Sequence, residues 1–101
     1  MEITTSTDGS EVVLSVAGEV DAHNCQELGA AAFTAADQAN SAAVVIDATE
    51  LTFMDSSAIS ELLRIREELT ERGGSLTLRN LGSSVRRVLE ITGLLDTFDV
   101  T

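Results

Sequence analysis

The sequence predicts an α/β fold, one domain over residues 1–101 in which a mixed β-sheet, opened by an antiparallel hairpin, carries three main helices. Three features point there. Two β-rich runs flank Asp8-Gly9, a pair suited to a hairpin turn because glycine tolerates the positive φ such turns demand. Ala42 to Asp47 is short and β-branched with no polar break, as in a strand buried on both faces. Further along, three separate segments have helix-type composition or apolar spacing.

Taken in order, Glu2 to Thr7 and Val12 to Val16 form the hairpin strands. Asn24 to Ala39 is rich in Ala, Gln, Glu and Leu, and Asn24 with Glu27 three residues on has the form of a capping box, so a first helix starts there. Strand Ala42 to Asp47 follows, then a connector from Ala48 to Met54. Ile59, Leu62, Leu63 and Leu69 mark a second helix over Ser57 to Arg72, stopped by Gly73-Gly74. Ser75 to Arg79 alternates with period two and reads as a strand. Val85, Val88, Leu89 and Thr92 give a third helix closed by Gly93, and Thr97 to Val100 a last short strand. Strands joined through helices run parallel with right-handed crossovers, so only the hairpin is antiparallel.

Charge narrows the function. The net charge is −11, and all six cations are arginines from Arg64 onward, so the first 63 residues hold eleven acids and no Lys or Arg. Nucleic acid is a poor partner for such a surface, since phosphate binding draws on Lys and Arg. The opening residues have neither a basic start nor an apolar run, and no stretch approaches a membrane span, so no secretory leader and no membrane insertion are expected. A lone Cys25 suits a reducing cytoplasm.

The segment from Leu51 to Ile59 hands a strand over to a helix, the position at which open α/β sheets present their sites. Asp55 and Ser56 are N-cap types, and Ser57 then falls in the first helical turn, near free N–H groups and the positive end of the dipole. Helix capping alone explains these residues. A phosphorylation switch at Ser57 explains them too, because a helix start accommodates a phosphate without unfolding, while Asp47, Glu50 and Asp55 would oppose the added charge. Other chemistry has less to stand on. His23 is the sole histidine and no G-x-S-x-G elbow surrounds Ser56 or Ser57, which argues against a serine hydrolase. One Cys and one His make no metal cluster, and no phosphate-cradling glycine loop exists, so no cofactor is expected. Cys25 reads as a small buried residue, Phe33, Phe53 and Phe98 as core, and Arg86 and Arg87 as the solvated face of the third helix, with a partner contact as the alternative.

These residues, taken together, resemble the STAS domain family, and within it the free-standing bacterial anti-sigma factor antagonists. The resemblance spans the opening hairpin, Val16-Ala17-Gly18-Glu19-Val20-Asp21, Val45-Ile46-Asp47 followed by Phe53-Met54-Asp55-Ser56-Ser57, and the third helix from Val85 to Leu94. It implies a non-enzymatic protein whose unphosphorylated form binds an anti-sigma factor with serine kinase activity and so frees the sigma factor. The kinase phosphorylates Ser57 and a serine phosphatase resets it. Glu19, Asp21, Asp55, Ser56, Ser57 and Ala58 match parts of the family's partner-binding surface; Ala58 stands where many members have Gly and puts a methyl beside the hydroxyl. The alternative is a STAS module regulating a transporter or another signalling complex without Ser57 phosphorylation.

Overall fold

Strand β1 (Glu2–Asp8) folds back on β2 (Glu11–Val20) as an antiparallel pair, in register from Glu2 opposite Ala17 to Asp8 opposite Glu11. The structure is a computed structural model and describes residues 1–101. On its other edge β2 runs parallel first to β3 (Ala43–Asp47), with Val12 opposite Val44 and Ser15 opposite Asp47. Beyond a register shift at Gly18/Glu19 it runs parallel to β4 (Leu51–Met54), with Glu19 opposite Phe53 and Val20 opposite Met54. Then β5 (Ser75–Arg79) lies beside β3, and β6 (Asp99–Val100) beside β5. The helices are α1 (Cys25–Ala39), α2 (Ser56–Glu71) and α3 (Ser83–Ile91). The mixed sheet, its antiparallel opening and the three helices are as expected.

Four local expectations differ. Residues 51–54 of the expected connector form β4; only Leu51 and Met54 are buried there, so the run lacks the alternation that betrays a strand. Asn24 flanks α1, yet its side chain makes no capping bond: Oδ1 accepts from the Asp21 N–H at 2.9 Å and Nδ2 donates to the Glu19 carbonyl at 2.9 Å, so the turn before the helix uses it instead. The final strand shrinks to two residues. Phe53, expected in the core, is 48% exposed.

Alternate residues of three strands, Val12, Leu14 and Val16, Val44 and Ile46, Leu76 and Leu78, point into one apolar cluster with side chains from all three helices, among them Leu28, Ile65 and Leu89. Val13 and Val45 are buried outside that cluster, so all of Val44, Val45 and Ile46 lie out of solvent, as the unbroken run implied. A fully buried leucine or valine contributes about 1.5–3 kcal/mol of transfer free energy. Between α1 and α2, Glu61 is buried and paired with Arg64 at 2.6 Å. Arg64 and Arg72 lie over the Phe33 ring, at 5.5 and 5.1 Å from its centre. Gly29 makes the close approach possible, because a Cβ there would overlap the Glu61 carboxylate. Each helix ends on a left-handed residue, Asn40, Gly73 or Gly93, whose successor donates back into the last turn, as Gly74 does to the Leu69 carbonyl at 2.8 Å.

Asp47 fastens the ends of β3 and β5. Its carboxylate accepts from the Thr49 hydroxyl at 2.6 Å, the Thr49 N–H at 3.0 Å and Asn80 at 3.3 Å, with Arg79 at 3.5 Å. The Thr49 hydroxyl bond, which outweighs the opposing effect of partial burial, holds its pKa below the ordinary 3.8. A carboxylate whose pKa is lowered on folding stabilises the protein above its unfolded pKa, and the contribution disappears as pH falls through the folded value. Asp47→Ala is therefore expected to lose about 1–3 kcal/mol at pH 7. In denaturant titrations the gap to wild type should close as the pH drops below 3.8; a gap that is constant with pH contradicts the assignment.

Candidate functional site

The site forms where β2 and β4 end together. The Asp55 N–H donates to the Val20 carbonyl at 3.3 Å, so Asp21 and Asp55 leave adjacent strands side by side. From there the two segments diverge, one turning into α1 and the other starting α2 at once. Asp55 is in extended conformation and caps α2: its Oδ1 accepts from the Ala58 N–H at 2.9 Å. The second oxygen, Oδ2, accepts from the Ala22 N–H at 3.2 Å. One carboxylate thus holds both the helix start and the turn that leads to α1.

Each expected residue has a definite place. Ser56 is exposed and is the first residue of α2. Ser57 is half-buried; its Oγ makes no hydrogen bond within the protein and is not buried, which leaves it open to solvent. Glu19 is exposed on the strand end opposite Phe53. Asp21 is half-buried and already engaged, its Oδ1 accepting from the His23 N–H at 2.9 Å and the Asn24 N–H at 3.3 Å. Ala58 departs from expectation as a contact residue: it is 0% exposed and belongs to the core, so its methyl points into the protein and neither crowds Ser57 from outside nor reaches a partner. Its backbone N–H, bonded to Asp55, is what serves the site. Asp47 is likewise spent on the sheet end. Phe53, read from the sequence as core, instead lies exposed beside these residues, opposite Glu19, a pairing that only the folded sheet reveals.

Chemically the arrangement suits binding. No basic side chain stands among these residues, so the rim formed by Glu19, Asp21 and Asp55 is acidic. The helix start tempers that charge, because the Ser56 and Ser57 N–H groups have no acceptor in the protein. His23 lies exposed in the 21–24 turn and makes no side-chain bond to either serine. No group of three or more His, Cys, Asp or Glu side chains is placed to hold a metal. Beneath the site, a void of about 10 Å³ lined by Val20, Leu51, Met54 and other apolar residues is too small for any ligand.

The same sequence has relatives of known kind. A family model described as "Mlab, STAS domain" matches residues 3–98. The chain is 31% identical over 94 residues to the anti-sigma-B factor antagonist of Listeria monocytogenes, spanning 92% of this chain and 81% of that protein. Among solved structures it is similar to an anti-sigma factor antagonist from Mycobacterium paratuberculosis, with 26% identity, a TM-score of 0.83 and coverage of 98% of this chain and 83% of that one. It is also similar to the Bacillus cell fate determinant SpoIIAA in its phosphorylated form, at 26% identity and a TM-score of 0.72 over 99% of this chain and 91% of that one.

The twofold role of Asp55 can be tested on the isolated chain. Asp55→Ala is expected to cost about 0.5–2 kcal/mol, the range for loss of an N-cap. Amide exchange should quicken at Ala22 as well as at Ala58, although Ala22 is 33 positions away in sequence. Faster exchange confined to α2 would show that the carboxylate does not hold the turn.

Proposed function

The chain belongs to the STAS domain family, and on that premise we propose that it is an anti-sigma factor antagonist controlled at Ser57. In its unmodified form it binds an anti-sigma factor that is also a serine kinase, using the acidic rim and the start of α2, and the sigma factor is released. The kinase then transfers the γ-phosphoryl group of ATP to Ser57 Oγ: the new P–O bond forms as the bond to the β-phosphate breaks, ADP leaves, and a base of the kinase takes the hydroxyl proton. A serine phosphatase removes the phosphate. This reading puts the protein in the cytoplasm, where ATP, kinase and sigma factor meet. The chain performs no catalysis itself.

One observation carries the reading. Ser57 Oγ is free of protein partners in the first turn of a helix already held by Asp55, so a phosphate can be added without dismantling the fold. It would bring about −1.5 to −2 charges at neutral pH beside Glu19, Asp21 and Asp55, and it would change the docking face rather than the backbone. The names of the relatives support the general role, and the phosphorylated Bacillus relative supports phosphate control.

The description of the matching family model names no sigma factor, which keeps the second reading in view: a STAS module of a transporter or another signalling complex, independent of Ser57. No helix is long and apolar enough to cross a membrane, so in that case the chain would dock onto a separate membrane component. Recovery of an ATP-binding serine kinase in a pull-down supports the first reading, and recovery of a transporter ATPase the second.

Incubation with the kinase and ATP is expected to add one phosphate to wild type and none to Ser57→Ala, as read by intact mass. A phosphate that persists on Ser57→Ala moves the site elsewhere. Ser57→Asp should bind the anti-sigma factor at least about tenfold more weakly, a loss of 1.4 kcal/mol. Unchanged affinity in titration calorimetry rules out a charge-driven switch.

A further inference from the structure

Two large apolar side chains stand out of the surface, Phe53 at 48% exposure and Ile91 at 74%. Singly, such residues need no explanation. These two are linked by position. Thr52, Phe53 and Met54 of β4 and Ser84, Val85 and Val88 of α3 line one cleft. Along α3, Ser84, Val88 and Ile91 follow at i, i+4 and i+7, which places them on one stripe of the helix, so the apolar line extends from Phe53 past Val88 to Ile91. At one end the line meets the candidate site, since Phe53 lies opposite Glu19 and two residues before the Asp55 cap. On α3 it is flanked by Arg87, exposed and without an acid in ion-pair range, whereas Arg86 is engaged by Glu90 at 3.6 Å.

We propose that β4 and α3 form a second patch of the docking face for the anti-sigma factor, with Phe53 and Ile91 as its apolar anchors and Arg87 as its charged flank. The proposal rests on the antagonist reading and extends the contact surface beyond the start of α2. Aromatic side chains and arginine are the types that most often carry binding energy at protein interfaces, and here they border an acidic rim. The partner that fits is therefore mixed in character: basic where it meets Glu19 and Asp21, apolar over the cleft, acidic opposite Arg87. A second copy of this chain fits badly, because each copy carries −11.

The test uses the full chain and a serine-kinase anti-sigma factor, with affinities measured for wild type, Phe53→Ala, Ile91→Ala and Arg87→Glu. Since all three side chains are exposed or half exposed, the variants should melt as wild type does, and Phe53→Leu should restore most of the affinity. Phe53→Ala is expected to weaken binding by about tenfold or more, and Ile91→Ala and Arg87→Glu by about three- to tenfold each. Binding within twofold of wild type for all three overturns the patch; if Ser57→Asp still weakens binding, the antagonist reading stands without it. Failure of wild type to bind the factor overturns both. Sedimentation that shows a wild-type dimer lost in Phe53→Ala would assign the patch to self-association and overturn the proposal.

Discussion

Strand β2 has ten residues, and no single parallel neighbour is long enough to cover its inner edge: β3 has five and β4 four. The edge is satisfied by both in succession, and everything at the candidate site follows from how that is done. At the junction the chain turns through Ala48 to Glu50, the Gly18 N–H takes the Glu50 carbonyl at 3.0 Å, and the register slips by one residue. Gly18 has φ +91°, a conformation that a residue with a side chain rarely adopts, so the slip needs glycine at this point. Because β4 is parallel to β2, both strands end in the same direction, and Asp21 and Asp55 emerge together. A site built by sheet pairing in this way inherits the rigidity of the core beneath it, where Val20, Leu51 and Met54 are buried.

The arginines decide what kind of surface results. Arg64 is engaged by Glu61, Arg72 by Asp37, Arg79 by Asp47 and Arg86 by Glu90, and two of them also cover Phe33. For Arg64 the bidentate bond to Glu61 raises its pKa above the already high value of a guanidinium, so its charge is fixed at any relevant pH. Cationic charge is thus used to hold α1 against α2 and to close strand and helix ends. None of it lies in the segments that supply Glu19, Asp21 and Asp55. Acidity at that rim is a consequence of where the cations are committed, and it gives the net charge a direction.

Much of this could be read from the sequence, and the reasons for the gaps are physical. The hairpin at Asp8-Gly9, the buried strand Val44-Val45-Ile46 and the stop at Gly73-Gly74 carry local signals that need no tertiary information, and all three are found in the structure. Strand β4 has no such signal, because only its end residues are buried and its register against β2 slips at Thr52, which is left without a partner. Asn24 has the right residue type for a cap, but the Asp21 N–H and the Glu19 carbonyl compete for its side chain and win. Phe53 fits the core by composition, yet on a four-residue strand with both ends buried it falls on an outer position. Ser57 was legible because it depends on a helix start, and Asp55 announces that locally. The second bond of Asp55, to Ala22, was not, since nothing in a linear sequence joins positions so far apart.

Charge alone makes a weak switch at a fully exposed position. At physiological ionic strength, repulsion between solvated groups fades over about 8 Å, and exposed pairs contribute at most about 1 kcal/mol. Ser57 is half-buried between the Asp55 cap and the buried Ala58, so a partner that covers the helix start also removes water from around its hydroxyl. Under the proposed switch, a phosphate inside such a contact would lose solvation with only the Ser56 and Ser57 N–H groups to replace it, next to the Asp55 carboxylate. The cost is then set by desolvation as well as repulsion, and it arises only in the complex. The proposed apolar patch along Phe53 and Ile91 fits that logic: affinity from apolar contact is insensitive to charge at Ser57, so under the proposed switch a phosphate would have to act at a point the partner cannot avoid covering. The start of α2, adjoining both the acidic rim and the cleft, is such a point.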